Sequence, residues 1–272
     1  MLWNALLLAA AVVASPDGVP IHYTDQGKGE PALVFIHCWS CDRHLWDNQL
    51  PVFAKGHRVV AIDLAGHGDS GQGRKDWTIP AFGEDVKAVA DTLGLQRMVL
   101  VGSSMGGPVS LEAAKRMPGR VVGIVPVDTL QSVGQRMPQE QIDGIVKQFE
   151  ADYKGTTEKF MNQYLFAPST PAAVRARLIA VAVARPPAVA VAAMRGASSY
   201  DPRPALGEIK VPVRAINSDL NPTDVEGNRK FMPGFEAVIL KGVGHYPMME
   251  DPARFNEALT GILRDLRPPP SR

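Results

Sequence analysis

One short stretch of this 272-residue chain carries the clearest chemistry. Gly102-Ser103-Ser104-Met105-Gly106 matches the pattern G-x-S-x-G, with an apolar run ("RMVLVG") before it and a helix-like run ("MGGPVSLEAAKRM") after it. A serine at the centre of such a strand–turn–helix is held in a strained conformation with its hydroxyl projecting beyond the sheet. Glycine on either side allows the close strand–helix contact. Ser104 is therefore the candidate nucleophile, and Ser103, at the variable position before it, is expected to line the site. A serine hydroxyl needs a base within hydrogen-bonding reach to attack at neutral pH. Of the six histidines, His245 in "KGVGHYPMMEDP" is the candidate base. It lies between the last strand-like run and the last helix-like run, where a polar side chain meets the carboxyl edge of a parallel sheet. His37 and His67 read as loop-shaping residues near that edge, and His22, His44 and His57 as surface or packing residues.

These groups need a scaffold, and the apolar pattern supplies one. "ALVFIH" (32–37), "RVVAID" (58–63), "RMVLVG" (97–102), "VVGIVPV" (121–127), "VPVRAIN" (211–217) and "AVILKG" (237–242) are continuous apolar runs rich in β-branched residues. Such runs suit strands buried on both faces of a mostly parallel sheet. Helical periodicity follows over 81–93, 105–117 and 252–266, the last with Asp251 as N-cap and Pro252 at the first helical position. This alternation predicts a doubly wound α/β sandwich. Between Thr129 and Gly207 no strand pattern occurs, only helical segments broken by prolines. That stretch is too long for a simple crossover, so 129–207 is expected to be an inserted helical cap on a core of 15–128 and 208–266. "VVASPDGVPIHYT" reads as two strands around an Asp-Gly turn, "DQGKG" (25–29) as a hairpin loop, and "GHGDS" (66–70) as a glycine-rich turn. The tail 267–272 is expected to be disordered.

Composition narrows the partner. Lys and Arg number 29 against 28 Asp and Glu, with no basic run longer than two residues, which excludes the footprint of a nucleic-acid binder and points to a small molecule. The two cysteines, Cys38 and Cys41, are spaced C-x-x-C in "HCWSC" without a second pair to complete a zinc site. They read either as a redox dithiol or as small packing residues, with a disulfide if the protein is exported. Residues 1–14 are too short to span a bilayer and have the length of a signal-peptide apolar region, but lack a positively charged start. They read as a signal peptide, implying a periplasmic or secreted protein, or as a first strand in a cytoplasmic one.

"VFIHCW", "DLAGHGDSG", "GSSMGG" and "GVGHYPMMEDP", in this order, resemble the α/β-hydrolase fold superfamily over about residues 17–128 and 208–266. The resemblance implies Ser104 as acyl-forming nucleophile and His245 as general base. It also implies an oxyanion hole formed by the backbone N–H of Met105 and of a residue after His37, by position Trp39 rather than Cys38. The chain departs from the family pattern twice. Cys38 stands where the family usually has glycine. The segment "INSDLNPTD" aligns Asn221 with the usual acid, which an amide cannot replace. Asp128, directly after "VVGIVPV", offers a carboxylate at the same sheet edge, an arrangement similar to that of the haloalkane dehalogenases; Asp219 is the alternative. Those dehalogenases use an aspartate nucleophile, whereas serine predicts acyl transfer.

The expected function is therefore a serine hydrolase of a small carboxylic ester or lactone, without metal or organic cofactor. Trp39, Ser103 and Met105 would line its floor, Phe149, Phe160, Met161, Tyr164 and Met194 would close its roof, and His37 and Cys38 are further candidate substrate-binding residues. Carbon–carbon bond hydrolysis or perhydrolysis on the same residues is the enzymatic alternative. A weakly catalytic ligand-binding protein of the same fold is the non-enzymatic one. The oligomeric state has no signature in the sequence.

Overall fold

The apolar, β-branched runs of the chain form the central strands, whose side chains are covered on both faces of the sheet. In the computed structural model, which describes residues 11–266, the strands are β1 (Ala11–Ala14), β2 (Pro20–Gln26), β3 (Ala32–Ile36), β4 (Val59–Ile62), β5 (Met98–Ser103), β6 (Val121–Val127), β7 (Arg214–Ser218) and β8 (Glu236–Leu240). Every residue of β3, β4 and β5 is buried, as β-branched runs covered on both faces require. They join in one eight-stranded sheet of order β1-β2-β4-β3-β5-β6-β7-β8, parallel from β4 to β8, with β1 and β2 antiparallel at one edge. The doubly wound α/β architecture is thus present.

The helices are α1 (Leu50–Phe53), α2 (Ile79–Thr92), α3 (Gly106–Arg116), α4 (Gln139–Ala151), α5 (Tyr153–Tyr164), α6 (Ala172–Val183), α7 (Pro187–Ser199), α8 (Arg203–Glu208), α9 (Val225–Arg229), α10 (Pro247–Glu250) and α11 (Pro252–Asp265). On one face of the sheet α2 and α3 bury Phe82, Val86, Val89, Val109 and Leu111 against Val34, Ile62 and Leu100. On the other face α11 packs Phe255, Leu259 and Ile262 near Phe35, Trp46 and Val101. α2 starts two residues earlier than its apolar period, because the Thr78 hydroxyl accepts the Ala81 N–H and Pro80 fits the first turn. α11 starts as its sequence indicates, with Asp251 accepting the Arg254 N–H.

Two local readings change. β7 begins at Arg214 rather than at residue 211; Pro212 has no N–H to give a ladder, and only an isolated bridge, Val213 to Ile124, precedes it. The 25–29 segment is not a hairpin loop, because β4 lies between β2 and β3. Helices α4–α8 occupy the connection between β6 and β7, with no strand among them. Of the first fourteen residues, Ala11–Ala14 are paired with β2 around a turn with Gly18 at φ 83°. The signal-peptide reading of 1–14 falls largely on residues 1–10, and the tail reading on 267–272; both lie outside the described residues. No single helix among the described residues is long and apolar enough to cross a membrane.

Register decides what meets at the carboxyl edge of the sheet. Ser103 on β5 lies opposite Val127 on β6, and Val127 opposite Ile216 on β7. The residues that follow Ser103, Val127 and Ile216, namely Ser104, Asp128 and Asn217-Ser218, are therefore neighbours although 24 and about 90 positions separate them.

Candidate active site

Ser104 sits at φ 50°, a left-handed conformation that costs a non-glycine residue roughly 1–2 kcal/mol. Its surroundings hold it there: its N–H donates to Val127 O (2.9 Å) and its carbonyl accepts the Gly107 N–H (2.9 Å). The flanking glycines are steric necessities. A Cβ on Gly106 would lie 2.5 Å from Ile36 O, and one on Gly102 would strike Gly106 O and lie 2.5 Å from Ser110 Oγ. Unlike Ser103, Ser104 retains exposure.

Asp128 is likewise left-handed, at φ 47°, and its side chain is fully buried. Its Oδ1 accepts two hydrogen bonds from Ser218, from N–H and Oγ–H, both 2.7 Å. Its Oδ2 faces His245 Nδ1 at 2.6 Å. Burial opposes ionisation of Asp128. The hydrogen bond and charge of His245, with the two Ser218 donors, outweigh burial and hold the carboxyl below its ordinary range. A carboxylate only accepts, so the proton sits on His245 Nδ1 and leaves Nε2 with a lone pair. The His245 ring is 13 % exposed, and its backbone N–H donates to Leu165 O (2.8 Å) in the segment after α5. A buried carboxylate, an oriented imidazole with a free basic nitrogen and a strained serine thus occupy one corner of the sheet.

Asp219, the alternative acid, is exposed, and its carboxyl accepts the Gly242 N–H (2.8 Å), bracing two loops; Asn221 is exposed as well. The reason is geometric. Both lie beyond Ser218, where the chain has already left the sheet edge, whereas Asp128 follows its strand immediately. Ser218, which orients the acid, was not legible as a functional residue, because its importance comes from the β6–β7 register.

Cys38, Trp39, Ser40 and Cys41 form a turn closed by a Cys41 N–H to Cys38 O bond (3.3 Å) and by a disulfide between the two cysteines. Only Ser40 in it has positive φ (56°), the type II pattern, so Cys38 is not the residue that would need to be glycine. The Trp39 N–H takes no partner among the described residues, and neither does the Met105 N–H at the start of α3. The Trp39 indole is half-buried, donates to Ala190 O (2.7 Å), and meets Phe149 edge-on at 5.5 Å.

Several expected lining residues are placed otherwise. His37 is fully buried with both nitrogens engaged: Nδ1 faces Cys38 O (2.7 Å) and Nε2 accepts the Leu64 N–H (3.0 Å). Burial lowers its pKa to about 4, so it is a neutral strut under the loop and not a substrate contact. Cys38 is buried in its disulfide and Ser103 is fully buried, so neither presents surface to a ligand. Phe149 is buried in a cap cluster where Phe160 and Met194 are half-buried beside it. Met161 is buried in the core, and Tyr164 is 55 % exposed. A cavity of about 1000 Å³ opens between α7, the end of α4 and residues 75–80, walled by Trp77, Phe149 and Val191; Ser104 and His245 do not line it.

Residues 33–258 match the model of the alpha/beta hydrolase family, and the chain belongs to that family. It is 36% identical over 141 residues to a non-heme haloperoxidase of Rhodococcus erythropolis, covering 48% of this chain and 51% of that protein. It is 42% identical over 97 residues to a bifunctional esterase/perhydrolase of Acinetobacter calcoaceticus, covering 35% of each. In these curated relatives the match spans about half of the protein or less. The solved structure of Est816, described as an N-acyl homoserine lactone degrading enzyme, superposes with a TM-score of 0.80 at 28% identity, covering 92% of this chain and 99% of that one.

Proposed function

We propose that the chain hydrolyses small carboxylic esters or lactones through an acyl-enzyme on Ser104. The observation that carries this reading is the 2.6 Å hydrogen bond between His245 and the buried Asp128 beside a left-handed serine elbow. Ser104 Oγ attacks the carbonyl carbon while its proton passes to His245 Nε2, and Asp128 stabilises the imidazolium. The oxyanion is received by the unpartnered N–H groups of Met105 and Trp39. As the tetrahedral adduct collapses, His245 returns the proton to the leaving alkoxide and the acyl group stays on Ser104. Water, deprotonated by His245, then releases the acid. Turnover of aryl esters that Ser104→Ala abolishes at matched concentration is the expected result; equal rates in both proteins would overturn the assignment.

Perhydrolysis, in which hydrogen peroxide replaces water in the second step, is a second reading, favoured by the esterase/perhydrolase and haloperoxidase names of the two relatives. A product peracid formed only when peroxide is added distinguishes it. Export is proposed alongside: the Cys38–Cys41 disulfide supports an oxidising compartment.

A further inference from the structure

The cap does not rest on the core at random. Its polar contacts reach the loop that follows β3. The Trp39 indole donates to Ala190 O in α7 (2.7 Å), Ser40 Oγ meets Tyr153 Oη in α5 (3.2 Å), and Arg185, just after α6, faces Asp42 (3.5 Å). The Tyr153–Ser40 contact is the buried one, with Tyr153 6 % and Ser40 0 % exposed.

Proton inventory orients that contact. Tyr153 has one O–H, and it donates to Ala182 O at the end of α6 (2.8 Å), a carbonyl that can only accept. Towards Ser40, therefore, Tyr153 accepts, and Ser40 Oγ–H donates. Ser40 is also the residue of the turn with φ 56°, a position that normally calls for glycine. The Cys38–Cys41 bridge ties the two ends of the turn together but leaves its middle free. A serine released from the left-handed region would rotate the Trp39–Ser40 peptide and displace Trp39.

We propose that Tyr153 is a positioning residue: through Ser40 it holds the Cys38–Cys41 turn in the conformation that presents the Trp39 N–H to the developing oxyanion. Seating the cap and completing the oxyanion site are then one event. This rests on the reading of Ser104 as nucleophile.

Four variants test it. Tyr153→Phe removes one hydroxyl and keeps the ring. Ser40→Ala removes the other partner and leaves the Tyr153–Ala182 bond intact, which separates the bracing of the turn from the packing of the cap. Each lowers kcat of aryl-ester hydrolysis by about tenfold to a hundredfold, the cost of a displacement of an ångström or less, with KM within about twofold. The pair together loses no more than the worse single, because both break one contact. Affinity for an aryl boronic acid, which adds to Ser104 as a tetrahedral anion, falls by the same factor. Ser40→Gly in the Tyr153→Phe background restores part of kcat, because glycine adopts the left-handed conformation without strain. Wild-type kcat in both singles, or reduced kcat with boronate affinity intact, overturns the proposal. Failure of the serine-nucleophile reading is separately visible: wild type and Ser104→Ala would then hydrolyse ester and bind boronate alike, and this proposal would fall with it.

Discussion

Replacing Asp128 by asparagine is the sharpest test of how this site works, because the structure fixes what the new amide would do. Oδ1 of Asp128 faces two donors from Ser218, one of them a backbone N–H that has no alternative role. An asparagine here must keep its carbonyl oxygen on Ser218, which turns its NH₂ towards His245 in place of Oδ2. The amide then donates to Nδ1, the imidazole takes the opposite tautomer, and Nε2 carries a proton when it should accept one from Ser104. The imidazolium also loses its counter-charge. In a Ser-His-Asp arrangement the two losses together lower kcat about 10⁴-fold, or about 5 kcal/mol at 1.36 kcal/mol per decade. The assay is steady-state hydrolysis of a short-chain aryl ester above neutral pH, with Asp219→Asn as control. Among the described residues Asp219 bonds only the Gly242 amide, so its variant should stay within about twofold of wild type. A loss below about tenfold in Asp128→Asn, or the larger loss in Asp219→Asn, would refute the assignment of the acid and with it the argument from the β6–β7 register.

Two further perturbations probe the scaffold. In Gly102→Ala the new Cβ would collide with the backbone of Gly106, so the elbow must open; a stability loss of about 3 kcal/mol or more in urea unfolding, or loss of Ser104-dependent turnover, is expected, and neither would mean that the turn relaxes freely. Acid should weaken the fold through His37 and His67, whose rings lie 5.0 Å apart and which burial holds neutral down to about 4 and about 3. The unfolded chain binds protons at both below about pH 6.5 while the folded one does not, so stability falls as pH drops from 6.5 towards 4. Between pH 7 and 5 the two together remove about 4 kcal/mol, measurable as a shift in the urea midpoint, and a change under about 1 kcal/mol would contradict neutral buried rings.

The parts of this molecule that were legible in its sequence are those where a local pattern and a global one coincide. Six apolar runs gave six strands; β3 to β5 and most of β6 and β7 are buried, so no alternation was needed to identify them, while β8 at the sheet edge keeps Val238 and Ile239 exposed. Ser104, Asp128 and His245 could be singled out as candidates because each follows a strand and has a side chain of a type able to do this chemistry. Once parallel strands lie side by side, their carboxyl ends share an edge whatever the sequence between them. The 25–29 loop shows the limit of such reasoning: glycines mark a turn, but which strand lies beside β2 is decided by β4 across the sheet.

What stayed hidden is the layer that makes those residues work together, and the reason is physical. Ser218 faces Asp128 from 90 positions away, Tyr153 meets Ser40 from 113, and Ala190 accepts from Trp39 across 151. None of these partners has a distinctive type; a serine, a tyrosine and a backbone carbonyl occur throughout any chain, and only packing selects them. Burial also reverses expectations that residue type invites. His37 stands at the right strand end to touch a ligand, yet two backbone groups already satisfy its nitrogens, and Cys38 is taken by Cys41. A group whose hydrogen-bonding capacity is spent inside the fold can only shape a site. On the proposed function, the chemistry is left to groups that keep a free valence: the Ser104 hydroxyl, the second nitrogen of His245, and the Trp39 and Met105 amides.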